Sequence, residues 1–460
     1  MKGKKFQINW YMIQDDAMER RLERMAARGW LLERATSWGW TYRRAEPGEA
    51  RYTVAYFPAA SVFDSGPTDE QRTYADYCQA AGWELAAANG PLQFFRSTRP
   101  NPTPIDTDEA TKLDTVRRTM RKSLLLPYGL LLAIWSLNLF TRLDDFRRRP
   151  LSLLSSNSSL ALLALLAFLV IYLAAVLVDY GVWAARSRRR VAEGGRCLPT
   201  HSRARLAGGA VGMGLAGLML LAFFTELSTP GGRLILLYTF GGMALIIGLS
   251  QGLMALLKKR GASRGAVRGW FFAACVLLAV VYSAGMLPLA GVLGGSGLLR
   301  EGQPAEVYTD SRGWTWDIYR DDLPVTLEQL GFSVTGADHC TYTAEESRSI
   351  LLTDRQYVQR AMARDSQLPE LSYRVVEIPW GWLRGLVLRR WTQARAFQPV
   401  EDPRWGADAV YLSEFGTGHS NPDWVYRDFL LVYGDQVVYL ETDWVVTPAR
   451  LAEAFHPARS

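Results

Sequence analysis

The residues best suited to catalysis lie in the C-terminal third, where an acid, a base and a thiol follow one another. Asp338, His339 and Cys340 are consecutive. A nucleophile needs its base within hydrogen-bonding distance, but successive side chains on a strand point to opposite faces. We therefore expect no nucleophile–base pair here, and we predict that the chain is not an enzyme.

Metal ligands are equally sparse. His419 and Asp423 could supply two ligands, but no further ligand is spaced to complete a site. Asp321 and Asp322 are adjacent, which favours a loop or a helix cap over an acid–base pair. The 4 cysteines show neither CxxC nor zinc-ligand spacing. The sequence therefore predicts no catalytic residue, no metal site and no cofactor.

Tryptophans are the remaining candidates for ligand contact, and each has two interpretations. Trp30 and Trp83 each follow a glycine, so they either pack beneath the preceding helix or stack on a ligand. Trp316, Trp380 and Trp382 lie in an aromatic-rich segment near the C-terminus. They are core residues or membrane-interface anchors, or they line a groove for a peptide, a glycan or a lipid headgroup.

Three kinds of segment must position these side chains, because the composition changes sharply along the 460 residues. A helix needs about 20 mostly apolar residues to cross a bilayer. Stretches close to this length occupy residues 123–140, 160–184, 206–224, 234–257 and 270–293. We predict a bundle of about five transmembrane helices within residues 121–296. The first is the weakest, because Pro127, Ser136 and Asn138 interrupt it.

The net charge of +7 is concentrated in short loops beside these stretches. Arginine and lysine are abundant before the first stretch, between the second and third, and between the fourth and fifth. Such loops stay in the cytoplasm and meet anionic lipid headgroups, which favours a lipid bilayer over nucleic acid as the partner. The loop between the first two stretches is an exception, because it is also basic. We expect a multi-pass cell-membrane protein with a cytoplasmic N-terminus and an extracytoplasmic C-terminal domain. Loss of the first span would reverse the side of the C-terminal domain.

The interiors of the predicted spans contain almost no ionisable residues, which argues against an ion-coupled transporter. Glycines four residues apart, Gly208 with Gly212 and Gly248 with Gly252, would let helices approach each other closely. The N-terminus has no continuous apolar segment, so we expect no cleavable signal peptide.

Residues 1–120 are predicted to form a cytoplasmic α+β domain built from two similar units. An amphipathic helix over 15–28 ends at Gly29, and a second helix over 69–81 ends at Gly82. Strands follow each helix, and a hairpin is predicted over 42–57 with its turn at Pro47 and Gly48. This order favours a ferredoxin-like βαββαβ sandwich.

Residues 297–460 are predicted to form an extracytoplasmic α+β domain. We expect a short helix after Thr326, a strand over 371–378 and a helix over 380–391. A hairpin over 429–441 and a closing helix over 447–455 complete the prediction.

Several N-terminal motifs occur in the order typical of one bacterial family. They are Met25-Ala-Ala-Arg-Gly-Trp30, Ala81-Gly-Trp-Glu84, Gln93-Phe-Phe-Arg96 and Ile105-Asp-Thr-Asp108 leading to Lys112. The first 115 or so residues therefore resemble the family catalogued as domain of unknown function 2812. The resemblance implies a membrane-anchored protein without an established activity, in a regulatory setting. A PadR-like regulator or a transporter subunit is implied as a partner by this resemblance alone.

Three hypotheses about function remain. The first is a sensor or regulatory protein that couples an extracytoplasmic domain to a cytoplasmic protein partner. The second is a membrane scaffold or an accessory subunit of a transporter. The third is an envelope enzyme acting in the outer domain, for which no nucleophile, carboxylate pair or metal cluster can be named.

Overall fold

Two compact units, each discontinuous in sequence, make up the chain. The computed structural model describes residues 3–8, 15–36, 39–99, 102–106, 108–148, 150–198, 203–226, 230–295, 304–417, 425–442, 444 and 448–455. The first unit comprises Met1–Asn138, Leu165–Gly217 and Gly232–Ser296. The second comprises Leu139–Ala164, Leu218–Gly231 and Gly297–Ser460.

Two consecutive β-α-β-β repeats form the N-terminal region, residues 3–106. The first contains β1 (Lys4–Ile8), α1 (Asp15–Ala27), β2 (Trp30–Ala35) and β3 (Gly39–Arg44). The second contains β4 (Arg51–Tyr56), α2 (Asp69–Ala80), β5 (Glu84–Asn89) and β6 (Leu92–Ser97). Each repeat forms its own antiparallel sheet, in the orders β1-β3-β2 and β4-β6-β5. The internal repeat inferred from the two Gly-Trp pairs is therefore present in the fold.

The sheet arrangement differs from the single ferredoxin-like sheet that we expected. Pro47 and Gly48 connect β3 to β4, which belong to different sheets, so the hairpin predicted through them is wrong. β3 turns back on β2 instead, where the Thr36 amide donates to the Gly39 carbonyl at 2.9 Å. The physical reason is that β3 pairs with β1 on one side and β2 on the other, which leaves no free edge for β4.

The two glycines that end α1 and α2 have left-handed backbone angles, with φ of +76° at Gly29 and +90° at Gly82. A Cβ atom at Gly29 would lie 2.7 Å from the Ala45 carbonyl oxygen. Glycine is therefore required at this helix end, both for its backbone conformation and for its lack of a side chain.

Helix α1 buries one face in a core that both N-terminal sheets share. The fully buried members include Met18 and Leu22 of α1, Tyr42 of β3 and Phe94 of β6. Their spacing along α1 follows the helical repeat, which explains why the sequence predicts this helix correctly.

Seven helices follow the N-terminal region. They are α3 (Glu109–Met120), α4 (Leu126–Arg148), α5 (Pro150–Leu154), α6 (Asn157–Ala192), α7 (Arg203–Glu226), α8 (Pro230–Lys259) and α9 (Arg264–Gly295). Four helices are long and apolar enough to cross a membrane in the described part of the chain, and they lie at Glu109–Arg148, Asn157–Ala192, Arg233–Lys259 and Arg264–Leu289. The remaining predicted span is represented by a shorter apolar helix, Gly208–Phe223. A fifth span therefore stays a prediction.

The weak first span is part of a helix of 40 residues, Glu109–Arg148. A π-helical turn, Arg121–Leu125, joins α3 to α4 within it, and the Leu126 amide donates to the Arg121 carbonyl. Pro127 follows directly and has no amide hydrogen of its own. A π-helical turn at this position lets the helix continue past the proline with an altered hydrogen-bond pattern.

Tyrosine and phenylalanine rings pack against helix glycines in the first unit. A side chain at Gly208 or Gly212 of α7 would collide with Tyr172 or Phe168 of α6. A side chain at Gly242 of α8 would likewise collide with the Tyr282 ring of α9. The close approach predicted at Gly208 and Gly212 is confirmed.

The other predicted glycine pair behaves differently. A Cβ atom at Gly248 or Gly252 of α8 would meet no atom within 4 Å in the described part of the chain. The spacing of the pair is therefore not sufficient to bring another helix of this chain against it.

The C-terminal region, residues 304–455, is built on an antiparallel sheet. Its elements are β7 (Glu306–Thr309), β8 (Thr315–Ile318), β9 (Cys340–Arg348), β10 (Thr353–Ala361), β11 (Leu371–Glu377), α10 (Gly381–Ala394), β12 (Gln398–Pro399), β13 (Ala409–Thr417), β14 (Val425–Tyr433), β15 (Gln436–Thr442) and α11 (Pro448–Phe455). The seven-stranded sheet has the order β12-β13-β14-β15-β11-β10-β9, and β7 pairs with β8 separately. Strand β11, helices α10 and α11 and the β14–β15 hairpin agree with prediction. The short helix expected after Thr326 is absent, although Thr326 and Gln329 make both capping contacts, at 3.1 and 3.5 Å.

Both faces of this sheet are buried. Successive residues along one strand point to opposite faces and enter two different hydrophobic cores. Val375 and Val438 face α11, whereas Val376 and Val437 face α10. The second core also contains three leucines of α5, namely Leu151, Leu153 and Leu154. Helix α5 lies between α4 and α6 in sequence, so the sheet of the C-terminal region is packed directly on the segment that joins two candidate spans.

Candidate functional site

A polar junction lies where the N-terminal region meets the α8–α9 turn, within the first unit. The segment after β4, residues 57–67, forms what we call the docking loop. Arg264 at the start of α9 donates to Asp64 through two nitrogens, with Nη2 2.9 Å from Oδ2. The same Nη2 donates to the Ala59 carbonyl at 2.9 Å. Asp64 is only 11% exposed, so water competes little for its carboxylate.

Two further hydrogen bonds and an aromatic cluster reinforce this junction. The Ser65 hydroxyl donates to the Ala262 carbonyl, and the Lys258 ammonium donates to the Val62 carbonyl. The Phe63 ring lies 5.7 Å from that of Phe271 and 6.1 Å from that of Phe272. The loop is therefore held by charge, by hydrogen bonds and by apolar contact.

A second junction joins the N-terminal region to α3 and the end of α6. Tyr56 of β4 is buried with Val116 and Met120 of α3 and with Val176 and Tyr180 of α6. These residues belong to one hydrophobic core, which also includes Leu124 in the π-helical turn. The beginning of the 40-residue helix is thus part of the packed N-terminal region.

Polar contacts hold the segment after α6 against the beginning of α3. The Cys197 amide donates to the Glu109 carboxylate at 3.0 Å. The Trp183 indole donates to the Leu198 carbonyl at 2.9 Å. Because the bond between Cys197 and Glu109 joins residues 88 positions apart, no local motif could have predicted it.

The two N-terminal candidate tryptophans have structural partners. Trp83 is buried, and its indole nitrogen donates to the Thr103 carbonyl at 2.6 Å. Trp30 is half-buried, with Lys5 Nζ 5.8 Å and Arg44 Cζ 5.6 Å from its ring centroid. These distances are typical of cation–π contacts. Ligand stacking by either residue stays a prediction.

The three C-terminal candidates are exposed. Trp316 lies on β8, Trp380 precedes α10 and Trp382 lies in its first turn. Their exposed fractions are 41%, 49% and 66%. None of the ring contacts among the described residues joins two of the five candidate tryptophans, so they do not form one aromatic cluster. Their use as a groove or as membrane anchors also stays a prediction.

The Asp338–Cys340 segment has a different geometry from the strand that we assumed. His339 has a left-handed φ of +45°, stacks on Tyr308 at 4.1 Å and places Nδ1 3.1 Å from Glu306. Asp338 accepts hydrogen bonds from Ser366 and Thr335 at 2.6 and 2.7 Å. Burial raises the pKa of the Cys340 thiol to about 11, which keeps it protonated at neutral pH. His419 and Asp423 lie outside the described residues.

Sequence reasoning missed a polar cluster on the α10 face of the C-terminal sheet. Tyr439 Oη lies 2.8 Å from Asp428 and 2.6 Å from Glu441, and Arg395 contacts all three. One phenol hydrogen is thus shared by two carboxylates, and the Arg395 guanidinium donates to both. Burial raises the pKa of Asp428, so this carboxyl group takes up a proton at a higher pH than an exposed aspartate does.

In the described part of the chain, no group of three or more histidine, cysteine, aspartate or glutamate residues is arranged to hold a metal ion. Comparison with known proteins adds information only for the N-terminal region. No curated protein and no solved structure matches the chain. Residues 14–127 match the family described as "Protein of unknown function (DUF2812)", which agrees with the resemblance seen in the N-terminal motifs.

Proposed function

We propose that this membrane protein is a regulatory relay, in which a change in the C-terminal region alters the N-terminal region and its contact with a cytoplasmic protein partner. The observation that carries the proposal is that two long helices contribute to two different cores. The helix Glu109–Arg148 supplies Met120 to the N-terminal core and Phe146 to the C-terminal one. Helix α6 supplies Tyr180 to the first and Leu163 to the second.

A relay needs an element that can exist in two arrangements. The π-helical turn Arg121–Leu125 is a candidate, because such turns occur frequently at functional sites and bond less regularly than an α-helix. The π-helical turn lies between α3, which contains buried residues, and α4, which contains none. A movement of α4 would therefore reach the Tyr56 core through this turn.

The orientation in this proposal comes from charge. The basic α8–α9 turn, to which the docking loop is bonded, includes Lys258, Lys259 and Arg260. Cytoplasmic loops carry such an excess of lysine and arginine. We therefore propose that the N-terminal region is cytoplasmic and that five spans place the C-terminal region outside. A PadR-like regulator or a transporter subunit remains a partner implied by the family resemblance alone.

Cysteine labelling tests the orientation. The native Cys78 and Cys340 are buried and would react poorly wherever they lie. Exposed positions are better, so Tyr77→Cys and Ser347→Cys are placed separately in a chain whose native cysteines are replaced by alanine. We expect a membrane-impermeant maleimide to label Ser347→Cys in intact cells and Tyr77→Cys only after lysis. Labelling of both positions on the same side would contradict the proposed orientation.

Hydrogen exchange tests the coupling. Asn157 at the start of α6 accepts a hydrogen bond from the Ile350 amide at 2.9 Å, so Asn157→Ala disturbs only the C-terminal junction. We expect exchange in the docking loop to change by at least about fivefold, since coupling energies are typically about 1 kcal/mol or more. The exposed Ser347→Ala is the matched control and should leave the loop unchanged. If Asn157→Ala accelerates exchange only around residue 350, the relay is wrong.

A membrane scaffold or transporter accessory subunit is the second candidate. It is favoured by the open surface at Gly248 and Gly252, because small residues at this spacing let another helix approach. Exposed side chains of α9, among them Phe272, Val276 and Leu277, offer further apolar surface. We expect Gly252→Leu to release a co-purifying membrane protein, whereas Gly209→Leu on the open side of α7 should not. Retention of the same partner by both variants would argue against a scaffold that binds through α8.

A further inference from the structure

A cavity of about 910 Å³ lies between the docking loop and the last turns of α8. Its polar lining includes Gln71 and Asn89 from the N-terminal region and Lys258 and Lys259 from α8. Arg34 at the end of β2 also lines it, close enough to Lys258 for their charges to repel. Three cations therefore share one concave surface.

Negative charge is nearly absent from this surface. Asp64 is the one acid among the described residues that line the cavity, and its carboxylate is already bound by Arg264. Lys258 donates one hydrogen bond to the Val62 carbonyl, but an ammonium group has three hydrogens. Arg34, Lys258 and Lys259 thus keep donor capacity for an anion, and bringing such cations together costs energy unless an anion is present.

Apolar side chains line the cavity as well. Phe63 of the docking loop, Met254 and Ala255 of α8 and Phe271 of α9 line it. Met254, Ala255 and Phe271 belong to two helices that qualify as membrane spans. A ligand in this cavity would therefore contact both cations and apolar side chains of the candidate spans.

We propose that this cavity binds the phosphate headgroup of an anionic phospholipid, with the upper part of its acyl chains against Met254 and Phe271. Lysine and arginine at the cytoplasmic end of membrane helices are suited to such headgroups. A free phosphate would use the same cations but would leave the apolar lining without a partner. The inference rests on the proposed cytoplasmic position of the α8–α9 turn, but it holds whether or not the chain relays a signal.

The test uses the full-length protein, delipidated in detergent and titrated with phosphatidylglycerol or phosphatidylcholine, with bound lipid counted by native mass spectrometry. We expect phosphatidylglycerol to bind the wild type at least about tenfold more tightly than phosphatidylcholine. Lys258→Gln combined with Lys259→Gln should weaken the binding of phosphatidylglycerol by about 30-fold, because each lysine near a lipid surface contributes about fivefold to the affinity. Arg260→Gln combined with Arg268→Gln removes two charges that do not line the cavity and should change affinity less than threefold.

A second variant separates an effect on lipid binding from an effect on docking of the loop. Lys259→Gln alone keeps the Lys258–Val62 hydrogen bond and should weaken the binding of phosphatidylglycerol by about fivefold. Equal weakening by the test and control pairs would show a general effect of surface charge and would overturn the proposal. Equal affinity for the two lipids would do the same. Displacement of the lipid by millimolar inorganic phosphate would assign the site to a free anion instead and would also overturn it.

Discussion

Two carboxylates compete for one phenol hydrogen at Tyr439, and this gives the C-terminal region a titratable group in its interior. Burial raises the pKa of Asp428, so the folded state binds its proton more tightly than the unfolded state does. The resulting stability is fully present below the ordinary aspartate pKa. It is lost as the pH rises through the raised pKa of the folded state.

Asp428→Asn is predicted to remove this pH dependence. An amide cannot titrate but can donate a hydrogen bond to Tyr439, as the protonated carboxyl does. We expect the thermal unfolding midpoint of the C-terminal region to vary less between pH 4 and 7 in the variant, measured on the full chain in detergent. Glu370→Gln changes an exposed carboxylate and is the control. A slope identical to that of the wild type would mean that Asp428 does not hold the proton.

The Asp64–Arg264 pair is the residue contact that we expect to matter most for docking. Asp64→Asn keeps the shape of the side chain but removes its charge. This change should make docking of the loop less favourable by about 1–2 kcal/mol. Hydrogen exchange over residues 57–67 should then be about 5–30 times faster. Arg264→Gln should have a similar effect, and the double variant should add little to either, because both changes remove the same interaction. Additive effects would show that the two residues act separately.

At the scale of elements, glycines on the membrane helices fall into two classes that sequence spacing does not distinguish. Gly208 faces the Tyr172 ring, whereas Gly248 faces open space. Gly208→Ala should destabilise the α6–α7 pair by about 1–3 kcal/mol, because the added methyl group overpacks it. Gly248→Ala should be neutral or stabilising by up to about 1 kcal/mol, since alanine favours a helix more than glycine. Thermal unfolding in detergent measures both effects. Equal shifts of the unfolding midpoint for the two variants would contradict the proposed difference in packing.

The isolated elements were largely predictable from sequence. The helices that end at Gly29 and Gly82 follow from amphipathic spacing and glycine caps, and the β14–β15 hairpin follows from Gly434, whose φ is +58°. The error at Pro47 and Gly48 has a physical origin. A Pro-Gly pair marks a change of direction, but it does not determine whether the strands on either side pair with each other.

At the scale of the whole molecule, the C-terminal region includes a helix that precedes it by about 150 residues in sequence. Helix α5 covers Leu352, Val376 and Leu383 with its own leucines. A fragment of residues 304–460 should therefore expose this apolar surface, bind the dye ANS and associate. Size-exclusion chromatography and dye fluorescence of the purified fragment measure this. A monomeric fragment without dye binding would mean that α5 is not needed to complete the core.

Composition, charge and short-range spacing by themselves determined that this chain has long apolar helices, a repeated N-terminal unit and an α+β C-terminal region. These properties depend on neighbouring residues, and the local sequence contains all the information that they require. Only the tertiary structure decided that each N-terminal repeat has its own sheet, that α5 belongs to the C-terminal core and that Asp64 meets Arg264. That pair is separated by 200 residues, and the cluster at Tyr439 likewise needs Arg395, which lies 44 residues away in sequence. Such contacts arise from the folding of distant segments onto one another, for which a single sequence contains no periodic signal.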